Sequence, residues 1–146
     1  MGCLPSTVGI MIDLLIPKET PSANTRERWH WRQQRREVTE WEYWFNSTMR
    51  PVIDRAKGPR LVTIHAFRTR RCSDEANFVS GCKGMIDGLV RAGLLVDDSR
   101  SWVKFTYIEQ VASKSPTGRA CTRVVITEDP GHQESAAGQP LVSRSQ

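Results

Sequence analysis

The chain has 146 residues, of which 38% are hydrophobic and 25% are charged, and its formal net charge is +5. This length and composition predict one globular domain and exclude a wholly disordered chain. Since no apolar run approaches the ~18–20 residues of a membrane span and no signal peptide is evident, we expect a cytoplasmic protein without a membrane partner.

The first half of the chain predicts a strand, a long helix and a second strand. Residues 1–9 indicate a flexible lead-in, and residues 10–16 form an apolar, β-prone run that proline ends. Residues 21–24 predict a turn or loop. Apolar side chains then recur at three- to four-residue spacing, so we expect a helix over residues 29–49. Residues 60–68 are apolar on much of both faces, which predicts a central strand.

The second half predicts another helix and two more strands. The helix is expected over residues 78–92, and Gly93 follows it at the position that a C-cap favours. Residues 102–110 and 121–127 predict strands. A turn at residues 115–118 joins these two strands, most simply as a hairpin.

The order of these elements predicts the fold class. Strand, helix, strand, helix, strand, strand is typical of an α/β domain with a small mixed sheet of about four strands and two main helices packed on it. The domain is expected to span residues 10–128. Residues 129–146 are rich in Gly, Gln, Ser and Ala and show no hydrophobic period, so we expect a disordered tail there.

Three glycines lie on one flank of the second predicted helix, at Gly81, Gly84 and Gly88. Each costs ~1 kcal/mol relative to alanine inside a helix. Their stripe predicts that another backbone, or a nucleic-acid strand, approaches this helix closely. Simple tolerance of a weak helix is the alternative.

Acidic residues concentrate directly after the most basic part of the chain. Residues 25–71 contain twelve Lys and Arg against five Asp and Glu, a net charge of +7, whereas residues 72–101 contain three against five, a net charge of −2. Carboxylates inside a cationic surface suit an enzyme that binds a polyanion and cuts it with a hard metal ion. The acids of this stretch are Asp74, Glu75, Asp87, Asp97 and Asp98.

Each of these acids also has a structural explanation. Asp74 could cap the helix that follows it, and Asp97 and Asp98 could belong to a turn. Lys83 and Asp87 could form an exposed i,i+4 ion pair worth ~0.3 kcal/mol. Together, however, the acids bracket one helix at both ends, and a helix packed on a sheet could present both sets to a shared cleft. The residues alone leave a Mg²⁺ site and a structural role equally open.

The polar residues of this stretch form one long spaced motif, Asp74-x-x-Asn77 … Lys83-x-x-x-Asp87-x-Leu89 … Ala92-Gly93 … Asp97-Asp98-Ser99. An earlier motif reads Pro21-Ser22-x-Asn24 … Arg28-x-His30-Trp31-x-x-Arg35. The long motif resembles the RusA family of Holliday junction resolvases, common in bacteria and their phages. The earlier one resembles the entry motif of phage-type members, and the resemblance covers roughly residues 10–127.

The resemblance implies a homodimeric endonuclease, dependent on Mg²⁺ or Mn²⁺, that binds four-way or other branched DNA and nicks strands near the crossover in recombination and repair. It implies that Asp74 and Asp98 bind the metal, with Asp97 as an accessory ligand, and that these carboxylates are catalytic. It also implies that Lys83 is the catalytic lysine. The side chains expected to support the site are Asn77 and Asp87.

One position departs from the family pattern. Resolvases of this family commonly have Asp-x-Asp-Asn, whereas this chain has Asp74-Glu75-Ala76-Asn77. Ala76 cannot ligate a metal, and in an extended segment Glu75 points away from the side that residues 74 and 76 share. The alternative function is therefore a non-catalytic or weakly active branched-DNA-binding relative that has lost one metal-ligand carboxylate. An RNA-directed nuclease is a third possibility.

Cationic and aromatic residues precede the acidic stretch. We expect phosphate contact and base stacking on opened DNA from this region. The alternative is a solvated helix face with tryptophans anchored in the core, which we prefer for Trp41, Trp44 and Trp102. His30 is equally suited to a structural hydrogen bond. The side chains expected to contact DNA are Arg28, His30, Arg32, Arg35, Arg70 and Arg71.

The four cysteines show no Cys-x-x-Cys pair and no histidine at zinc-ligand spacing. A zinc site is therefore not expected, and reduced thiols fit a cytosolic chain. Cys82 lies on the apolar face of the second predicted helix, which places it in the core.

Overall fold

The computed structural model describes residues 11–49, 55–72 and 74–129. The predicted lead-in and nearly all of the predicted tail lie outside these ranges. No helix in the described part of the chain is long and apolar enough to cross a membrane. The elements are β1 (Met11–Ile16), α1 (Ala23–Glu27), α2 (Trp31–Met49), β2 (Arg60–Arg68), α3 (Glu75–Gly81), α4 (Lys83–Arg91), β3 (Val103–Val111), a 3-10 turn (Ala112–Lys114) and β4 (Cys121–Glu128).

Four strands form one mixed sheet in the order β1-β4-β2-β3. β4 pairs antiparallel with β1 and with β2, whereas β3 pairs parallel with β2. The predicted α/β class with a four-stranded mixed sheet is confirmed, and β2 is a central strand as expected. Parallel pairing of β2 with β3 requires a long crossover connection, which α3 and α4 provide.

The hairpin predicted between β3 and β4 is wrong, because β2 lies between these two strands. The helical crossover places β3 on one edge of β2, and β4 takes the other edge. The connection at residues 112–120 therefore crosses the end of β2 and spans two strand spacings, roughly 10 Å. A turn that joins two antiparallel strands does not by itself make them neighbours.

Two helices, α1 and α2, lie where a turn or loop at residues 21–24 and one helix over residues 29–49 were predicted. The Ser22 hydroxyl accepts the Thr25 N–H at 3.1 Å and caps the short helix α1. Periodicity did not reveal α1 because none of its side chains is buried. The longer helix α2 starts two residues later than predicted, where Nδ1 of His30 accepts the Arg32 N–H at 3.1 Å.

The second predicted helix is also divided. It begins at Glu75 rather than at residue 78, since Asp74 is extended and its Oδ1 accepts the Asn77 N–H at 2.7 Å. This is the capping role that the sequence left open for Asp74. At Cys82 the backbone (φ −82°, ψ −2°) interrupts the helix, and α4 follows directly.

The end of α4 is a Schellman turn, as the position of Gly93 predicted. Gly93 has φ +84°, its N–H donates to the Val90 carbonyl, and the Leu94 N–H donates to the Leu89 carbonyl, both at 3.0 Å. Leu89 and Leu94 are both fully buried. This turn reverses the chain, and the segment that follows leads to Asp97 and Asp98.

The core lies between the sheet and the helices α2 and α4. Trp41 of α2, Met85 of α4 and Ile64 of β2 are fully buried in one hydrophobic cluster. Cys82 also lies in this cluster, as predicted, and burial raises the pKa of its thiol to about 12. Burying one such large apolar side chain contributes about 1.5–3 kcal/mol to folding.

The glycine stripe lies where the helices approach each other most closely, which confirms the prediction that another backbone comes near. A methyl group at Gly81 would collide with the carbonyl oxygen of Pro21, and one at Gly88 would lie 2.7 Å from Cβ of Trp41. At Gly84 it would collide with the carboxylate of Glu37. The stripe is therefore occupied by α2 and the segment before α1.

Candidate active site

Lys83 lies between two carboxylates at the surface. Its Nζ is 3.1 Å from Oδ1 of Asp87, one turn further along α4, and 3.3 Å from Oδ2 of Asp98. The nine residues of α4 span about 13.5 Å. A return segment of five residues after the Gly93 turn can cover about that distance. This explains how Asp98 comes back to the start of the helix.

The charge on Lys83 is stabilised by its two partners. Burial lowers the pKa of Lys83, but the hydrogen bonds and negative charges of Asp87 and Asp98 outweigh that effect and raise it above the ordinary value. The Lys83 side chain is nonetheless 53% exposed. Exposed ion pairs contribute little to folding stability, so this group is not required to hold the fold together. A protonated, accessible ammonium is available to contact an anion.

Asp74 lines a different pocket from Asp98. Its pocket, of about 290 Å³, is also lined by Glu75, Tyr107 and Glu109. Asp98 lines a larger groove that Tyr107 shares. The two predicted metal ligands therefore lie on either side of Tyr107. Within residues 11–49, 55–72 and 74–129, no three Asp, Glu, His or Cys side chains are grouped as a metal cage.

The role of Glu75 needs correction. Glu75 would point away from Asp74 in an extended segment, but it is the first residue of α3 and lines the same pocket as Asp74. Ala76 is exposed in the first turn of that helix. Asp74 is the extended N-cap of this helix, and Ala76 is its second residue, which brings no carboxylate to the site.

Asn77 connects the two sequence motifs. Its side-chain Oδ1 accepts the backbone N–H of Asn24 at 3.2 Å, although 53 residues separate them. Next to this contact, the carbonyl of Pro21 lies against Gly81. Asn77 thus ties α1 to α3 and acts as a positioning residue.

The cationic segment, residues 28–35, has an exposed aromatic ring. Trp31 is 53% exposed, and the guanidinium groups of Arg32 and Arg35 lie 5.3 and 5.5 Å from its ring centroid. Arg28 is exposed nearby in sequence, and Nδ1 of His30 is used in the backbone hydrogen bond that begins α2. In contrast, Trp41 is fully buried, which confirms its predicted core role.

A groove runs from α1 and Gln34 of α2 to Lys83. Its lining includes Arg26 and Gln34 on one side and Ser80 and Lys83 on the other, and its volume is about 270 Å³. Arg26 is held there by Glu37, whose Oε1 accepts from Nε at 2.7 Å. The groove thus carries two cations, Arg26 and Lys83, and one carboxylate, Glu27.

Glu109 is a residue that sequence reasoning missed. Its Oε2 accepts the Cys72 N–H at 2.7 Å and lies 3.5 Å from Nη1 of Arg68, and its Oε1 lies 3.9 Å from Nε of Arg71. Its side chain is only 9% exposed. Glu109 thus anchors the basic segment before Asp74, where Arg70 remains exposed. A charged residue on the inward face of β3 is the signal that could have identified it.

Tyr107 was also missed, and it lies where the two pockets meet. Its ring contacts Phe78 edge-on, with centroids 6.1 Å apart. Burial raises the pKa of Tyr107 to about 12, so its hydroxyl is neutral at physiological pH. Its position depends on the pairing of β3 with β2, which no local pattern shows.

The carboxylate oxygens near Lys83 suit a magnesium ion that keeps most of its water ligands. Mg²⁺ is bound through one or two carboxylates, several waters and substrate phosphates rather than by a closed protein cage. Asp97 and Asp98 are adjacent and exposed, and Asp98 uses one oxygen for Lys83. These hard oxygen donors fit such an ion.

No protein-family model and no curated protein matches this chain. The resemblance of its spaced motifs therefore rests on the motif residues themselves.

Proposed function

We propose that this protein is a metal-dependent endonuclease that cuts branched DNA, in the manner of the RusA family that its motifs resemble. The observation that carries the proposal is the position of the Lys83 ammonium between Asp87 and Asp98 at an accessible surface. An ammonium fixed in advance near the place where negative charge develops on a phosphate stabilises the transition state.

The carboxylates that would hold the metal are Asp98 and Asp97, with Asp74 facing the substrate from the adjoining pocket. When bound, Mg²⁺ or Mn²⁺ polarises the scissile phosphate and supplies an activated water. Asp87 accepts a hydrogen bond from Lys83 and so helps to hold the ammonium beside Asp98. The hydrogen bond between Asn77 and Asn24 fixes α3 beside α1, so that the cationic segment and the acidic residues stay in register.

The cationic residues bind the DNA backbone. Arg32 and Arg35 flank the exposed Trp31, and the groove lined by Arg26 and Gln34 leads to Lys83. Arg71 lines the pocket of Asp74, and Arg70 is exposed next to it in the sequence. A four-way junction presents phosphates in several directions at once, and a homodimer of this domain would grip two strands. We place this activity in DNA recombination and repair in the cytoplasm.

A second candidate function is binding to branched DNA without cutting it. It is favoured by the use of Asp74 as the cap of α3 and by Ala76 where the family pattern has an acid. In this case the basic surface is retained while the metal affinity is low.

Cleavage of a synthetic four-way junction separates the two candidates. A labelled junction, a linear duplex, a single strand and a branched RNA are each incubated with Mg²⁺, Mn²⁺ or a chelator, and DNA binding is measured in parallel. The nuclease proposal expects nicking of the branched DNA with metal only, and a loss of nicking in Asp98→Asn. Binding to the junction without nicking under either metal supports the second candidate. Preferential cutting of the RNA would identify an RNA-directed nuclease.

A further inference from the structure

The inward face of β3 carries two aromatic residues next to the candidate active site. β3 is an edge strand in the described sheet, and its side chains alternate so that Val103, Phe105, Tyr107 and Glu109 share one face. The rings of Phe105 and Tyr107 are nearly parallel, with centroids 5.7 Å apart and an interplanar angle of 29°. Both rings are only partly buried against the core.

These rings form part of the wall of a groove that starts at the active site. The groove has a volume of about 680 Å³ and is lined by Asp98, Arg100, Lys104, Phe105 and Tyr107, together with Val103. The Lys104 side chain belongs to the opposite face of β3, where its Nζ lies 3.9 Å from Oδ2 of Asp129. The groove thus combines an aromatic wall with Asp98, a carboxylate in contact with Lys83, and with the cationic Arg100.

We propose that Phe105 and Tyr107 form a stacking platform for an unpaired nucleobase of the DNA strand whose phosphate lies at Lys83 and Asp98. This inference rests on the proposed nuclease function and specifies how its substrate is chosen. Base stacking on aromatic side chains tolerates every base because each base has a π face. A base must leave its duplex stack to use such a platform. Branched DNA offers bases of this kind at the crossover, whereas an intact duplex does not.

The charges around the rings favour a nucleotide over an apolar peptide side chain. A nucleotide carries its phosphate next to the base, and Arg100 lines the same groove as the aromatic wall. The neutral hydroxyl of Tyr107 adds no repulsion towards an anionic strand. An apolar peptide would gain nothing from this cation and would leave it partly desolvated.

The test is equilibrium binding of a four-way junction that carries a fluorescent adenine analogue at the crossover, measured in chelator so that no cleavage occurs. Phe105→Leu and Tyr107→Leu keep apolar bulk but remove the π face, and Tyr107→Phe keeps the face. We expect each leucine variant to weaken binding roughly tenfold, the loss of one stacked base, and to restore the fluorescence that stacking quenches. Tyr107→Phe should bind like the wild type. Tyr43→Leu, which removes an exposed aromatic side chain from α2, is the matched control.

The salt dependence separates stacking from a phosphate contact. Phe105→Leu should reduce affinity at every salt concentration without changing the slope of log K against log salt, whereas Arg100→Gln should reduce that slope by about one charge. Thermal unfolding of each variant verifies that it is folded.

Two results would overturn the inference in different ways. If the wild type binds and cuts junctions but the leucine variants bind and quench like the wild type, the platform is refuted and the nuclease stands. If the wild type binds no branched DNA, the nuclease proposal and the platform both fail.

Discussion

Lys83 and Asp98 are in contact at 3.3 Å although 15 residues separate them in the chain. The contact exists because α4 ends in the Gly93 turn and the following segment returns along the helix. A pair formed in this way is a consequence of the fold, yet it is exposed and does little to stabilise it. The Lys83 ammonium is therefore available to contact a bound anion, and the Asp98 carboxylate to contact a cation.

Replacing Lys83 with glutamine should reduce DNA cleavage roughly 100-fold or more, the cost of one lost transition-state donor. Folding stability should change by less than ~1 kcal/mol because the ion pair is exposed. Arg91→Gln is the control. Arg91 lies at the other end of α4, away from Asp98, and the variant removes its exposed 3.2 Å ion pair with Glu42 of α2. Single-turnover cleavage rates and thermal melts measure both effects. If Arg91→Gln loses as much cleavage activity as Lys83→Gln, the loss reflects a general disturbance of α4 and not the removal of the Lys83 ammonium.

The protonation of Lys83 gives a prediction on pH. Because Asp87 and Asp98 raise the pKa of Lys83 in the folded state above its ordinary value, its contribution to stability is complete below that ordinary value and is lost as pH rises through the folded pKa. Asp87→Asn should lower the pKa of Lys83, since it removes the larger of the two carboxylate effects. Side-chain NMR titration of labelled lysines measures this change. An unaltered titration in Asp87→Asn would contradict the hydrogen bond.

The glycine stripe predicts a steric effect on stability. Gly88→Ala should destabilise the fold by about 1–3 kcal/mol, because the new methyl group would press on Trp41 and force α2 and α4 apart. Gly58→Ala is the control, since its methyl group would meet nothing within 4 Å. Denaturant unfolding measures both. If Gly88→Ala is as stable as Gly58→Ala, α2 and α4 are packed less closely than the 2.7 Å approach at Trp41 requires.

The elements that sequence predicted well are those whose burial repeats along the chain. All four strands lie within one or two residues of their predicted bounds. The break at Cys82 could not be predicted, because Phe78, Cys82 and Met85 are all buried and their spacing continues across it. The spacing of apolar residues shows which side chains face the core. It does not show a local change in backbone hydrogen bonding.

The candidate site was predictable where its parts are local. Lys83 and Asp87 are one helical turn apart, and Gly93 predicted the end of the helix, after which the chain returns Asp98 to them. Tyr107 and Glu109 could not be predicted as neighbours of Asp74, because their position follows from the pairing of β3 with β2. That pairing is a choice between strands that look alike in sequence, and the same choice made the hairpin prediction wrong.

Burial should decide the strength of two ion pairs on α2 that have nearly the same length. Oε1 of Glu37 lies 2.7 Å from Nε of Arg26, and Oε1 of Glu40 lies 2.8 Å from Nζ of Lys18. The Glu37 side chain is 3% exposed, whereas that of Glu40 is 57% exposed. Breaking a buried pair leaves the partner's charge without compensation and costs about 3–5 kcal/mol.

We therefore expect Glu37→Gln to destabilise the fold by several times more than Glu40→Gln, which should cost less than ~1 kcal/mol. Glutamine has nearly the same shape as glutamate, so packing against Gly84 is preserved in the first variant. Denaturant unfolding with both variants under one buffer measures the difference. Equal stabilities would mean that water reaches Arg26 and Glu37, and α1 would then be held to α2 by packing alone.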